Sequence, residues 1–184
     1  MPASDTGMIL GVDPGYAACG ICAIERLGQR WVCFRAVTVR TPSTMPLHER
    51  MGRVYEELRG TYAIMCVGSI VACERQDRAR QGSAERATTS SDAALVEQVV
   101  GMVRTVALSA AIPFVEVDPQ QAKIAVLGRG HGGASKEQVR RAVMALVSGC
   151  PKILSSHAAD AIVTAIAAER KASWEERKRA ASIR

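Results

Sequence analysis

Residues 8–15, MILGVDPG, place an aspartate at the end of an apolar run and directly before a Pro-Gly turn. The run predicts a buried strand over residues 8–12, which ends at Pro14-Gly15. A charge at the edge of a core is costly unless it has a charged partner, a metal ion or open solvent. The sequence around Asp13 therefore raises the question of what this carboxylate faces.

Length and composition indicate one globular domain with an anionic partner. The chain has 184 residues, and 48% of them are hydrophobic, which is ample for a single core. It has 24 Lys and Arg residues against 18 Asp and Glu residues, so the formal net charge is +6. This basic balance favours nucleic acid or a phosphorylated surface as the partner.

The sequence shows neither a membrane segment nor a secretion signal. No apolar run approaches the roughly 18 residues that a membrane span needs. The first residues, MPASDTG, are polar and lack the basic region of a signal peptide. We therefore expect a cytoplasmic protein.

The six cysteines are expected to be structural. Most of them lie inside apolar runs, as small core residues do. Cys19 and Cys22 form a C-x-x-C pattern, but in a strand an offset of three points their side chains to opposite faces. The pattern therefore favours two core thiols over half of a zinc site.

The order of the predicted elements favours an α/β fold. Strands come first, helices then alternate with strands, and this order is typical of one domain with a mixed sheet flanked by helices. A helix at 93–110 is apolar on more than one face, which predicts cover from the sheet and from a second subunit. The five predicted strands lie at residues 8–12, 18–24, 31–39, 63–73 and 112–117. The other predicted helices begin near Leu47 and at Pro119, and lie at 136–147 and 157–169.

Four ligand-type side chains could converge from three distant segments. Asp13 follows the first strand and Glu74 the fourth, so parallel neighbouring strands would bring both carboxylates to one end of the sheet. In SSHAAD (155–160) a serine can cap a helix whose first turn presents His157 and Asp160 on one face. Singly, each residue also has a structural explanation as a turn, strand-end or helix-start residue.

Together, these oxygen-rich ligands suit Mg²⁺ or Mn²⁺, with the imidazole favouring Mn²⁺ slightly. Two such ions about 3.5–4 Å apart can activate a water molecule and stabilise the leaving oxygen of a phosphodiester. The four residues therefore predict metal-assisted phosphodiester hydrolysis.

Four motifs, in this order and spacing, resemble the RuvC family of Holliday junction resolvases. The resemblance covers about residues 8–170, and its most specific part is the long segment after the fifth strand. The motifs are ILGVDPG (9–15), ACE (72–74), VDPQQAKIAVLGRGHGGASKEQV (117–139) and HAADAIVTAI (157–166).

The resemblance implies a ribonuclease H-like fold and Mg²⁺-dependent paired nicking of four-way DNA junctions in recombination and repair. It implies that Asp13, Glu74 and Asp160 bind metal, with two ions per site and Mn²⁺ able to substitute. His157 occupies a position where many members have aspartate, and we keep it as a ligand. A homodimer through helix 93–110 and a branch-migration helicase are the implied protein partners. In these terms residues 1–170 form the nuclease domain and residues 171–184 a basic tail.

The resemblance also assigns DNA-facing roles to Lys123 and Lys136. The sequence S-x-x-Q at 135–138 predicts a capping box, which puts Lys136 at the positive end of a helix. A bound phosphate would relieve that repulsion. Further DNA contacts are expected from Arg129 in the glycine-rich loop and from Arg75, Arg78 and Arg80, although a solvated charge run is an equal alternative for the last three.

One departure from the family pattern keeps other functions open. Family members commonly have an aromatic residue three positions after the glutamate, where this chain has Asp77. A broader branched-DNA nuclease, as in some phages, therefore remains an alternative, as does an RNA nuclease of the YqgF type. A sugar kinase or actin-like ATPase would need a longer, duplicated domain, and a non-catalytic junction-binding module would not need four metal-type ligands.

Overall fold

A computed structural model describes residues 7–65, 69–75 and 90–182. In this part of the chain one mixed sheet is flanked by helices on both faces. In chain order the elements are β1 (Ile9–Asp13), β2 (Ala18–Leu27), β3 (Arg30–Arg40), α1 (Leu47–Tyr62), β4 (Ile70–Glu74), α2 (Ser90–Ser109), β5 (Phe114–Val117), α3 (Pro119–Leu127), α4 (Lys136–Leu146), β6 (Val147–Ser148) and α5 (Ser156–Ser182).

The strand order is β5-β4-β1-β2-β3-β6. β1 pairs antiparallel with β2 and parallel with β4, and β4 pairs parallel with β5. The five predicted strands are therefore present, but the fourth begins at Ile70 and not at Ala63, because Ala63 caps the end of α1. The prediction of five strands in total was wrong by one, because Val147 and Ser148 pair with Trp31 and Val32 of β3. Two residues are too few to show a strand pattern, and the prediction had ended a helix at Val147.

β1 is buried on both faces, which explains its unbroken apolar run. Ile9 faces a core that includes residues of α3, α4 and α5. Leu10 and Val12 face the opposite core, which includes residues of α1 and α2. β1 lies in the interior of the sheet, and Asp13 is its last residue, at the carboxyl edge.

Two strand glycines allow α5 to lie directly on the sheet. A Cβ atom on Gly11 would lie 2.2 Å from the carbonyl oxygen of Ala161, and one on Gly20 would lie 2.0 Å from that of His157. No side chain fits in such a gap. The helix therefore approaches β1 and β2 as closely as two backbones can.

α5 is much longer than the helix predicted at 157–169. It runs without a break from Ser156 to Ser182. The proposed boundary between the nuclease domain and the basic tail at residue 170 falls inside this helix, and the division remains a prediction. None of the helices in the described part of the chain combines the length and the apolar character that a bilayer crossing requires.

The cysteine prediction is confirmed for Cys19 and Cys22. They lie in the two different cores, on opposite faces of β2. Burial raises the pKa of each thiol to about 12, so both stay protonated and neither provides the thiolate that zinc needs. Cys66 lies outside the described residues.

Candidate active site

Asp13 and Glu74 end two neighbouring parallel strands. The register pairs Val12 of β1 with Cys73 of β4, so the two carboxylates follow at the same level of the sheet. Both side chains are half-buried. The sequence predicted this arrangement for the case that the two strands are parallel neighbours. Both acids lie at the carboxyl edge of the sheet, where open α/β sheets place ligands.

The start of α5 brings two more ligand-type residues to this edge. Ser155 precedes the helix, and its Oγ accepts a 3.1 Å hydrogen bond from the backbone N–H of Ala158. This is the predicted serine cap. The Ser155 hydroxyl also forms a short hydrogen bond with Thr38 of β3, which fixes the cap to the sheet. His157 and Asp160 follow on the first turn.

His157 contacts Asp13 directly. Its Nδ1 donates a 2.8 Å hydrogen bond to Asp13 Oδ2, which joins residues 144 positions apart in the sequence. This hydrogen bond raises the pKa of His157, because the carboxylate stabilises the imidazolium ion, although burial and Lys136 oppose the shift. The imidazole, when protonated, therefore forms an ion pair with Asp13.

The other two acids hold their protons unusually tightly. Burial, with the charges of Asp13 and Asp160, raises the pKa of Glu74 from 4.5 to about 8. Burial, with the charge of Asp13, raises the pKa of Asp160 from 3.8 to about 6. Both shifts arise because negative charge is crowded into a partly desolvated edge. Such a cluster needs cations in order to be fully ionised near neutral pH.

A comparison with protein families identifies the family from a match that includes the strands and the helix of this site. The family model described as crossover junction endodeoxyribonuclease RuvC matches residues 9–168. The chain belongs to the RuvC family. Its members are endonucleases that hydrolyse DNA, and the predicted fold is confirmed.

Known RuvC proteins resemble this chain over most of their length. RuvC of Geobacter sulfurreducens is 30% identical over 158 residues, covering 86% of this chain and 89% of the relative. RuvC of Anaeromyxobacter sp. is 28% identical over 159 residues, covering 86% and 78%. The structure of Thermus thermophilus RuvC in complex with a Holliday junction substrate matches with a TM-score of 0.71 and 25% identity, covering 88% of this chain and 92% of that one.

The edge of the sheet that carries Asp13, Glu74, His157 and Asp160, called the acidic edge below, fits the divalent-metal dependence of RuvC-family nucleases. The three carboxylates are hard oxygen donors of the kind that Mg²⁺ and Mn²⁺ prefer, and the imidazole nitrogen is a softer donor that favours Mn²⁺ slightly. Burial and the neighbouring carboxylates raise the pKa of Glu74 and of Asp160, and a bound cation would favour the ionised forms. Among the described residues, no three His, Cys, Asp or Glu side chains are already arranged to hold a metal ion. The four donors thus lie at one edge of the sheet, and two of them, His157 and Asp13, are hydrogen-bonded to each other.

Two lysines approach the acidic edge from the helices of this RuvC-family chain. The charge of Lys123 on α3 lowers the pKa of Glu74 and of Asp160, and that of Lys136 at the start of α4 lowers the pKa of Asp160. Lys123 Nζ also donates to the Ala134 carbonyl oxygen at 3.4 Å. Both predicted lysines therefore lie within electrostatic range of the carboxylates.

The predicted capping box before α4 is confirmed. Ser135 Oγ accepts from the Gln138 backbone N–H, and the Gln138 side chain accepts from the Ser135 N–H. Lys136 thus occupies the first helical position and is exposed, next to N–H groups that favour an anion.

The predicted arginines have different surroundings. Arg129 is exposed in the loop between α3 and α4. Arg75 donates to Asp118 Oδ2 at 2.9 Å and is 52% exposed, so part of its charge is compensated. Arg78 and Arg80 lie outside the described residues, as does Asp77.

Gly11 and Gly20 contribute to the site although the sequence analysis overlooked them. They allow the close approach of α5 that carries His157 and Asp160 to Asp13. An isolated glycine in a strand pattern is a recognised sign of close backbone approach. That sign was present in both β1 and β2.

Proposed function

We propose that the chain is a Holliday junction resolvase that makes paired, symmetric nicks in four-way DNA junctions during recombination and repair. The observation that supports this most is the meeting of Asp13, Glu74, His157 and Asp160 at one sheet edge, within a family of crossover junction endonucleases. A protein that only bound junctions would gain nothing from crowding three carboxylates at an energetic cost.

The proposed ligands are Asp13, Glu74, His157 and Asp160, and the proposed cofactor is a pair of Mg²⁺ ions, with Mn²⁺ able to substitute. When bound, such ions activate a water molecule and stabilise the charge that develops on the leaving oxygen. The carboxylates must be ionised in order to bind metal, so Glu74, whose pKa is about 8, would have to lose its proton before it could act as a ligand.

We propose that Lys123 and Lys136 hold the DNA backbone over the acidic edge. Both lysines are close enough to lower the pKa of carboxyl groups at this edge: Lys123 that of Glu74 and Asp160, and Lys136 that of Asp160. A phosphate placed between them and the metal site would be bound from both sides, and such contacts position DNA without reading its sequence. We propose further backbone contacts from Arg129, which is exposed in the loop between α3 and α4, and from Arg75, which follows Glu74.

Paired nicks require two active sites, and we propose that α2 forms the homodimer interface. Val99 and Val103 of α2 are buried in the protomer. Met102 and Val106 are only half-buried, and Leu108 is 69% exposed. An apolar residue with that exposure at the end of a largely apolar helix favours a second copy as its cover.

The decisive test is cleavage of a labelled four-way junction beside linear duplex, fork and single-stranded DNA, each with Mg²⁺, Mn²⁺ or EDTA. We expect metal-dependent, symmetric nicks confined to the junction. Asp13→Asn controls for a contaminating nuclease.

Other outcomes would assign other functions. Equal cutting of forks and flaps would favour the broader branched-DNA nuclease that Asp77 leaves open. Cleavage of RNA without cleavage of junctions would favour a YqgF-like enzyme, and binding without any cutting would favour the non-catalytic module. We also propose that the protein acts together with a branch-migration helicase. Its place of action would be the cytoplasm of a bacterium, or of a bacterium infected by a phage that encodes it.

A further inference from the structure

A groove runs beside the acidic edge, between β5, α3 and the second half of α5. Its volume is about 450 Å³, within the range of pockets that bind small ligands. Apart from Ala167, the residues that α5 contributes to its wall come after the family match, which ends at residue 168. The lining residues used below are Arg75, Glu116, Asp118, Arg170, Lys171 and Trp174.

The groove begins where the candidate active site ends. Glu74 pairs with Val117 of β5, and Val117 lines the groove. Arg75 directly follows Glu74, and its backbone N–H donates to the Val117 carbonyl oxygen at 2.8 Å. A strand of DNA that leaves the acidic edge on this side therefore meets the groove next.

Trp174 is the most unusual residue of the groove. It is 55% exposed, whereas Trp31, the other tryptophan of the chain, is 9% exposed. Lys178 Nζ lies 5.7 Å from the centre of the Trp174 ring. Spacings of three, four and seven put Arg170, Lys171, Trp174 and Lys178 on one face of α5, which combines an aromatic surface with positive charge.

Each of the two acidic residues of the groove forms an ion pair with an arginine. Asp118 pairs with Arg75 and also accepts from the first N–H groups of α3. Glu116 pairs with Arg104, 3.0 Å apart. Arg170 and Lys171 then add positive charge at the mouth of the groove, which favours an anionic occupant.

We infer that this groove binds an unpaired nucleotide of the DNA substrate, with its base stacked on Trp174 and its phosphates at Arg170 and Lys171. A basic groove with an exposed aromatic side chain is the combination that single-stranded nucleic acid binding uses. The inference rests on the proposed function, because it assigns the groove to the strand that leaves the cleavage site.

The test measures binding of a short fluorescein-labelled oligothymidine to the full chain in EDTA, where no cleavage occurs. Stacking on an aromatic residue contributes about 1–3 kcal/mol per base, so Trp174→Ala should weaken binding about 5- to 150-fold. Trp174→Phe should retain most of the affinity. Ile153→Ala removes an apolar side chain that is 91% exposed elsewhere, and this control should bind as the wild type does.

Tryptophan emission provides a second readout. Because Trp31 is buried, quenching by the oligonucleotide should come from Trp174 and should vanish in Trp174→Phe. Affinity of Trp174→Ala within twofold of wild type, or unchanged emission on binding, would overturn the inference. A shift of Trp174→Ala from dimer to monomer in sedimentation, with oligonucleotide affinity unchanged, would also overturn it and would assign the groove to a second copy of the chain.

Junction cleavage by the wild type separates this inference from the proposed function. If the junction is cut but Trp174→Ala binds the oligonucleotide normally, the groove assignment alone fails. If the junction is not cut but Trp174→Ala loses affinity, the resolvase proposal fails and the nucleotide site stands.

Discussion

Gly20 of β2 lies directly against the first turn of α5, where a Cβ atom would come within 2.0 Å of the His157 carbonyl oxygen. The contact is with backbone, so a rotamer change cannot relieve it. The absence of one methyl group in a strand thus sets the distance between Asp13 and the helix that bears His157 and Asp160.

We expect Gly20→Ala to displace the start of α5 and to separate the candidate ligands. Overpacking of this kind costs about 1–3 kcal/mol, and a displacement of about 1 Å at a catalytic group can lower the rate about 100-fold. The measurements are the free energy of unfolding in urea and the junction cleavage rate. Gly52→Ala is the matched control, because Gly52 lies in α1 with open space around its Cα and alanine favours a helix. Similar loss in both variants would refute the role of Gly20.

Asp13→Asn should abolish nicking while junction binding is retained, because the variant loses a charged ligand but none of the proposed DNA contacts. The same variant should lower the pKa of His157 toward its ordinary value of 6.5, since the hydrogen bond to Asp13 is the largest cause of the raised value. Cleavage assays, binding in EDTA and NMR titration of the three histidines measure these effects. Retained cleavage, or an unchanged His157 titration, would contradict the assignment.

The positions of Asp13 and Glu74 could be predicted because each ends an apolar run, and parallel neighbours share a carboxyl edge. The caps at Ser135 and Ser155 could also be predicted, because capping depends on residues within one turn. The His157–Asp13 hydrogen bond could not, since it depends on how closely α5 approaches the sheet. That approach depends on two glycines whose neighbours are far away in the sequence.

The C-terminal half of α5 was missed for a different reason. The charged segment after Glu169 shows no continuous apolar stripe, so periodicity ended the helix there. Glu169 is itself 1% exposed and pairs with Arg26 of β2, so the chain is still anchored to the sheet at that point. The following residues are mainly Ala, Arg, Lys and Glu, which extend an existing helix at little cost.

Stability of the metal-free protein should fall as the pH rises from about 4.5 to about 8. Over this range the unfolded chain has released the proton of Glu74 while the folded chain, with a Glu74 pKa of about 8, still binds it. The loss should level off above that pH, and Asp160 adds a loss of the same sign up to about pH 6. Thermal unfolding in EDTA across this range is the measurement.

Glu74→Gln should reduce that pH dependence and raise the Tm of the metal-free protein at pH 8. The increase should be at least about 2 °C, because ~1 kcal/mol changes the Tm of a chain this size by about 2–4 °C. Glu56→Gln changes a carboxylate that is 63% exposed and is the control. A wild-type Tm that does not fall between pH 4.5 and pH 8 would contradict the proposed crowding of charge.

Lys136→Ala should weaken junction binding at low salt and reduce the slope of log K against log salt concentration by about 1. A lysine that contacts one phosphate releases about one counterion from DNA. Binding isotherms in EDTA at several salt concentrations measure the slope. Lys152→Ala, which removes an exposed lysine with no proposed DNA contact, should keep the wild-type slope. Equal slopes for all three proteins would remove Lys136 from the DNA interface.

His157→Asp should remain active and shift the metal preference toward Mg²⁺, because a carboxylate is a harder ligand than an imidazole. The variant also loses the 2.8 Å hydrogen bond to Asp13 and adds a like charge beside it, so its metal-free form should be less stable than the wild type near neutral pH. Addition of Mg²⁺ should restore most of that stability, since metal binding to the folded state raises it. Cleavage rates in Mg²⁺ and Mn²⁺ series, together with Tm values with and without metal, check both expectations. Complete inactivity in both metals, with normal Mg²⁺-induced stabilisation, would mean that the histidine takes part in the reaction beyond holding metal.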